Sequence, residues 1–317
     1  MAAPEIVVAA TLPPDVAAAF VDRYGALILP IADCGRDEFA AAVKGARIMV
    51  PAVGVAVDRA LIDALPGSVR LIANFGAGTD HIDLKAAAAR GLMVSNTPDV
   101  LTAATADIAM MLILAALRGA SDAERQLRAG AWRGWTPADI RGHDLAGRTL
   151  GIWGFGRTGR ATAARAAAFG MTVIYHGRSR HDDDAGARYV ADRAAFLAAA
   201  DVLSLHMPAT AETRGVLDRA TIATLKPGAV VINTARGDLI DDEALIDALE
   251  EGRVGAVGLD VFAGEPALNP RWLSAPRTVL LPHIGSATHE TRMAMGLRVM
   301  ANIDAFIAGS DLPDRVA

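Results

Sequence analysis

Hydrophobic and polar positions alternate in blocks along the first third of the chain. Short aliphatic runs (EIVVAA at 5–10, ALILP at 26–30, RIMVP at 47–51, VRLIANFG at 69–76, LMVSNTP at 92–98) are separated by alanine-rich stretches with helical spacing (PPDVAAAFVDRYG at 13–25, DEFAAAVKGA at 37–46, VDRALIDALPG at 57–67, LKAAAARG at 84–91). Such alternation predicts parallel strands joined by crossover helices, a flavodoxin-like α/β domain. Pro98 ends the last run, and DVLTAATADIAMMLILAALRGASDAERQLRAG (99–130) then reads as one long helix or two broken near Gly119. After the loop AWRGWTPADIRGHDLAG (131–147) a second series begins: RTLGIWGFG, TVIYHG, DVLSLHMP, AVVINTA, GAVGLDVF and TVLLPHIG, each a strand candidate followed by turn residues. The stretch HETRMAMGLRVMANIDAFIAG (289–309) is helical again, with Met295, Val299, Ile303 and Phe306 at helical spacing. A last helix that returns to the first domain makes that domain discontinuous. The expected boundaries are 1–98 plus 288–317 for one domain and 99–287 for the other.

A length of 317 residues with 52% hydrophobic content supports two cores. The formal net charge of −5 argues against an extended polyanion partner, because a nucleic-acid footprint shows as a basic surplus. One cysteine, Cys34, excludes an internal disulfide framework and a cysteine-based zinc site and fits a reducing compartment. The N-terminal MAAPEIVVAATLPPD has no basic leader, and its apolar run is too short for a signal peptide or a membrane span. The longest apolar stretch, IAMMLILAALR (108–118), is flanked by Thr102, Thr105, Asp107 and Arg118 and reads as a helix buried in protein. A cytoplasmic protein, with neither membrane nor nucleic acid as partner, is expected.

The second series opens with a chemical signature. GIWGFGRTGRATAARAAAFG places Gly154, Gly156 and Gly159 after a strand and at the head of a helix, with a second strand candidate, MTVIYH, following. In this setting the first glycine permits a tight turn, the second lets backbone approach a pyrophosphate, and the third lets helix and strand pack closely, while the helix N-terminus offers free N–H groups. Dinucleotide binding by Gly154, Phe155, Gly156, Arg157, Thr158 and Gly159 is the expectation. An NAD-preferring site of this kind carries an acid about 20 residues on, at the end of the second strand. Here Gly177 stands there, followed by Arg178, Ser179 and Arg180. Guanidinium groups form charge-assisted, often bidentate hydrogen bonds with phosphate, so NADP(H) is the preferred cofactor, with NAD(H) as the other option. The alternative is that these are solvated arginines paired with Asp182, Asp183 and Asp184.

Three residues at strand ends stand out: Arg236 in VVINTARGDLID, Glu265 in GLDVFAGEP and His283 in VLLPHIGSAT. The run from LHMPATAETRG through GLDVFAGEP to LLPHIGSAT, together with NFGAGTDHIDL, NTPDVLTAATADIAMMLILAALR and GRTLGIWGFGRTG, resembles the D-isomer-specific 2-hydroxyacid dehydrogenase family over nearly the full chain. Its GFGR turn and GRS strand end are most similar to the glyoxylate and hydroxypyruvate reductases of that family.

The resemblance implies two doubly wound α/β domains, a Rossmann cofactor-binding domain inserted in a flavodoxin-like substrate domain, and a homodimer acting on a small 2-keto or 2-hydroxy acid. It implies that Arg236 holds the substrate carboxylate and polarises the keto oxygen, that His283 delivers the proton to that oxygen, and that Glu265 is the acid partner of the histidine. Chemistry supports these roles independently. Reduction puts negative charge on oxygen, histidine is the side chain poised to supply a proton near neutral pH, and a planar guanidinium fork matches a carboxylate. A carboxylate about 4 Å from an imidazolium attracts it by roughly 4 kcal/mol at an effective dielectric near 20.

By the same resemblance, the backbone N–H groups of Gly76, Ala77 and Gly78 meet the substrate carboxylate. Asp260 lies near the nicotinamide carboxamide, and Thr102, Pro208, Thr234, Ala235 and Gly285 line the cofactor. His206 reads as a cofactor-loop residue, since no second metal-type ligand is spaced with it and no metal site is expected. His176 is placed to stack at the adenosine end; His81, His143, His181 and His289 carry no catalytic expectation. Phe75 and Trp135 are candidates for setting pocket size, Trp135 either across a dimer interface or as a packing residue. The expected site is the cleft between domains, closing about Pro98 and Ala287. A phosphoglycerate dehydrogenase-like enzyme and a dinucleotide-sensing corepressor of the same fold are the alternatives.

Overall fold

A computed structural model describes residues 5–137, 141–184 and 186–317. Part of the N-terminal stretch read above and three positions of the loop 131–147 lie outside the described residues. The chain forms two compact units, one running to Leu101 and including Ala287–Ala317, the other Thr102–Ser286.

In the first unit, five strands, β1 (Ile6–Val8), β2 (Leu27–Ile28), β3 (Ile48–Val50), β4 (Leu71–Ala73) and β5 (Met93–Ser95), alternate with helices α1 (Pro14–Tyr24), α2 (Ile31–Cys34), α3 (Arg36–Ala42), α4 (Arg59–Ala64) and α5 (Leu84–Ala89). All pairings are parallel, in the order β2-β1-β3-β4-β5. That is the strand order of the flavodoxin-like fold expected from the hydrophobic blocks, which did not themselves give an order. Ile6, Val7, Val8, Ile48, Leu71 and Ile72 are buried on both sheet faces, as a parallel sheet covered by helices requires. Asp58 and Asp83 cap α4 and α5 by accepting from Leu61 and Ala86 N–H, which explains why those short helices start where they do.

The second unit has seven parallel strands: β6 (Thr149–Trp153), β7 (Thr172–His176), β8 (Arg188–Tyr189), β9 (Val202–Leu205), β10 (Ala229–Asn233), β11 (Val254–Leu259) and β12 (Thr278–Leu280). Their order is β12-β11-β10-β9-β6-β7-β8. Strand order reverses between β6 and β9, the switch point where an open α/β sheet leaves a crevice beyond its carboxyl ends. The helices are α6 (Thr102–Arg118), α7 (Ala120–Arg128), α8 (Arg157–Ala168), α9 (Arg193–Ala199), α10 (Arg219–Thr224) and α11 (Asp242–Glu250). The 99–130 stretch is therefore two helices: Gly119 adopts φ 62° and turns the chain by 68°. Apolar α6 lies on the sheet, where Gly258 admits Leu112, whose Cβ would come within 3.0 Å of any Cβ at that glycine. Among the described residues no single helix is long and apolar enough to cross a membrane.

A final helix, α12 (His289–Ile307), belongs to the first unit and buries Met295, Val299 and Ile303 with α1. Gly296 is required there, since a Cβ would meet Val16 Cγ1 at 2.8 Å.

Candidate active site

The switch point in the second unit carries the glycine turn, and its three glycines do different things. Gly154 has φ 95°, and a Cβ there would lie 2.7 Å from Met207 N. Gly159 faces the turn itself, its Cβ position being 2.4 Å from Gly154 O. Gly156 faces open space, with nothing within 4 Å of a Cβ. It is also the N-cap of α8 and lends no side-chain cap, so the first-turn N–H groups, including those of Thr158 and Gly159, are open to an approaching anion. The residues present fit a dinucleotide pyrophosphate. Phe155 contributes only backbone, because its ring is buried and stacked on Tyr175 at 3.9 Å.

At the end of β7 a Cβ on Gly177 would touch only Phe155 N, at 4.0 Å. Arg178, Ser179 and Arg180 are exposed, and among the described residues neither guanidinium has an ion pair; Asp184 instead turns back to accept from Gly186 N–H. His176 is committed to protein contacts: Nδ1 lies 2.9 Å from Val190 O, and the ring stacks on Phe196 with centroids 5.5 Å apart. His206 bonds Ser204 Oγ at 2.8 Å, and burial pushes it down to about 4, so it is neutral. Pro208 is exposed and accepts from Thr213 Oγ1, while Thr102 opens α6. Thr234 has a buried Oγ1 without a partner among the described residues, a polar atom left for something other than protein.

Arg236, Glu265 and His283 follow β10, β11 and β12, three neighbouring strands. Arg236 is half-buried, and its turn is shaped by the fully buried Asn233, which accepts from Ala235 N–H (2.9 Å) and donates to Arg236 O (2.7 Å). Gly237 packs so tightly on the next loop that a Cβ would sit 1.9 Å from Phe262 C, which draws the β10 and β11 ends together. Glu265 Oε1 accepts from Phe262 N–H and Oε2 from His283 Nδ1, both at 2.7 Å. Burial pushes the Glu265 carboxyl up, but the His283 bond, the Phe262 N–H and the nearby charges of His283 and Arg236 outweigh it and leave the group below the usual carboxylate range. An ionised carboxylate only accepts, so Nδ1 carries a proton and Nε2 is the nitrogen presented outward.

His283 has φ 55°, a left-handed conformation that β-carbon sterics disfavour. What holds it there is Asp260. That buried carboxylate accepts from Ile284 N–H and Gly285 N–H, 2.7 Å each, and fixes the chain just after the histidine; burial raises its own pKa despite those bonds. Thr105 Oγ1 donates to Gly285 O at 3.2 Å, a further pin on the same turn.

In the first unit the turn after β4 carries Gly76, Ala77 and Gly78. The Gly76 N–H donates to Asn74 O at 3.0 Å. The N–H groups without an acceptor, among the described residues, are those of Ala77, Gly78 and Thr79, one position further along than the sequence suggested. Trp135 is 80% exposed and Phe75 is buried, so Trp135 is no core residue. Asn74, Asn233 and the clamp made by Asp260 escaped the sequence reading, for their work is side chain to backbone and leaves no motif.

Fold and site together define a dinucleotide-dependent oxidoreductase with a histidine–carboxylate acid and an arginine. A family described as D-isomer specific 2-hydroxyacid dehydrogenase, NAD binding domain, matches residues 110–285, and the chain belongs to the D-isomer-specific 2-hydroxyacid dehydrogenases. Its cofactor is a nicotinamide dinucleotide. The chain is 43% identical to a glyoxylate reductase of Thermococcus litoralis over 281 residues, 86% of this chain and 84% of that protein. It is 40% identical to a glycerate dehydrogenase of Hyphomicrobium methylovorum, covering 87% of each. Among solved structures it is similar to the NADPH-dependent glyoxylate/hydroxypyruvate reductase of Sinorhizobium meliloti in complex with NADP and malonate (34% identity, TM-score 0.87, 100% of this chain and 97% of that one).

Proposed function

We propose that this protein reduces a small 2-keto acid, glyoxylate or hydroxypyruvate, to the D-2-hydroxy acid with NADPH as the preferred donor. The observation that carries the reading is the His283–Glu265 pair at 2.7 Å, on the strand ends next to Arg236. When bound, the reduced dinucleotide supplies the hydride that adds to the carbonyl carbon. His283 Nε2 gives its proton to the oxygen, converting C=O to CH–OH, while the Glu265 carboxylate stabilises the positive ring before transfer and keeps Nδ1 protonated after it. Arg236 neutralises charge building on the substrate's oxygens. The free N–H groups of the Ala77–Thr79 turn receive the substrate carboxylate.

Support for NADPH comes from Gly177 in the place of an acid, with the exposed Arg178 and Arg180, without an ion pair among the described residues, beside Ser179. Thr234 and Asp260 serve the nicotinamide end. The exposed Leu127, Trp132 and Trp135, at 60%, 60% and 80%, favour a second copy of the chain as their cover. Relatives named as reductases and dehydrogenases do not favour the corepressor or the phosphoglycerate alternative.

Initial rates of NADPH and NADH oxidation with glyoxylate, hydroxypyruvate and phenylpyruvate test the reading. Fast NADPH-dependent turnover of the two small acids is expected. Preference for NADH would remove the phosphate role of Arg178 and Arg180, and no turnover with either donor would overturn the activity.

A further inference from the structure

The turn from Gly76 to Thr79 is held by side chains that no motif assigns. Asn74 is fully buried, and its Nδ2 donates to Gly76 O and to Gly78 O, each at 2.9 Å. The Asn96 Nδ2 donates to Ala77 O at 2.7 Å. Three consecutive carbonyls are thus each bound by an amide donor, and Gly76 O also accepts from Thr97 N–H at 3.0 Å. In a planar trans peptide the C=O of one residue and the N–H of the next point in opposite directions. Fixing the carbonyls of residues 76, 77 and 78 therefore aims the N–H groups of Ala77, Gly78 and Thr79 the other way, and those are the three donors without an acceptor among the described residues.

The orientation of the Asn74 amide decides whether this works, because a flipped amide would set its oxygen against two carbonyls. The carbonyls settle it: Gly76 O and Gly78 O only accept, so the atom facing them is Nδ2, and Oδ1 is left to His81, whose Nε2, 3.0 Å away, holds the amide in that orientation by donating to it.

We propose that Asn74, oriented by His81 and seconded by Asn96, is a positioning residue that presets the Ala77–Thr79 N–H groups as a receptor for a carboxylate. Such a receptor needs no reorganisation when the anion arrives, and it selects substrates with a carboxylate next to the reacting carbon. This rests on the reading above that the turn receives the substrate carboxylate.

The variants Asn74→Asp and His81→Leu remove donors of the scaffold, His81→Gln keeps one, and Ala77→Pro deletes a receptor N–H without touching the scaffold. Four quantities are measured: KM and kcat for glyoxylate, affinity of the unreactive oxalate for the NADP+ complex by calorimetry, and NADPH affinity. Loss of a buried amide partner should raise KM and weaken oxalate by about tenfold or more in N74D and H81L, with kcat and NADPH affinity near wild type and H81Q close to wild type. A merely structural role would lower kcat and cofactor affinity together, and would not be rescued by H81Q. Should N74D fail to fold, the His81 pair carries the test. Unchanged KM and oxalate affinity in H81L, with both weakened in A77P, would overturn the scaffold and leave the receptor standing. No effect in A77P would overturn the receptor itself.

Discussion

Glu265 is the residue on which the pH behaviour turns. It stays ionised below the usual carboxylate range, so on the acid side the pair with His283 persists. Replacing it with glutamine removes the charge and keeps the shape. The acid-side loss of kcat/KM for reduction, which follows protonation of Glu265 below the usual carboxylate range, should then be absent from the profile of the variant, with its plateau lowered. An unchanged profile would exclude the coupling. His283→Ala should cost about 10²–10⁴ in kcat with dinucleotide affinity retained, a result that single-turnover rates and fluorescence titration distinguish from misfolding. At the other end of the cofactor, replacing Arg178 and Arg180 together by alanine should raise the KM for NADPH about tenfold or more and leave that for NADH nearly unchanged, since only the 2′-phosphate distinguishes them. Equal losses for both cofactors would show the arginines to be ordinary surface charges.

The β6–α8 turn shows what elements contribute beyond their residues. Gly154, Gly156 and Gly159 were readable because their roles follow from spacing, and each has a different wall: Met207 N, open space and Gly154 O. Gly159→Ala forces a Cβ to within 2.4 Å of a backbone carbonyl, so helix and strand must separate. We expect a loss of about 1–3 kcal/mol in stability together with weaker NADPH binding, seen in melting and titration of the same preparation. The blocks of hydrophobic residues likewise disclosed both sheets, since a buried parallel strand is a short apolar run. Whether 99–130 was one helix or two stayed open, because Gly119 is tolerated inside a helix and only its positive φ breaks one. Asn74 and Asn233 were not readable at all. A side chain bonding its own neighbours' backbone has the same one-letter signature as any turn asparagine.

Over the whole molecule, stability and function draw on some of the same groups. His206 is held neutral, its pKa pushed to about 4 by burial from an ordinary 6.5. The unfolded chain takes up a proton there as pH falls below the ordinary value, and the folded chain does not until about 4. That contribution is therefore complete above the upper value and is lost as pH falls through the window. Between neutral pH and pH ~5 the loss is on the order of 1–2 kcal/mol. His206→Gln should flatten the acid side of a melting-temperature profile by that share, whereas an unaltered slope would assign the acid sensitivity to other groups. His283 presents the opposite case. Its left-handed backbone costs about 1–2 kcal/mol for any side chain with a Cβ, and glycine there would be free of that cost. A library of variants at position 283 sorted only by resistance to heat would thus converge on glycine and discard the proton donor. The same library sorted by turnover would return histidine and accept a lower melting point.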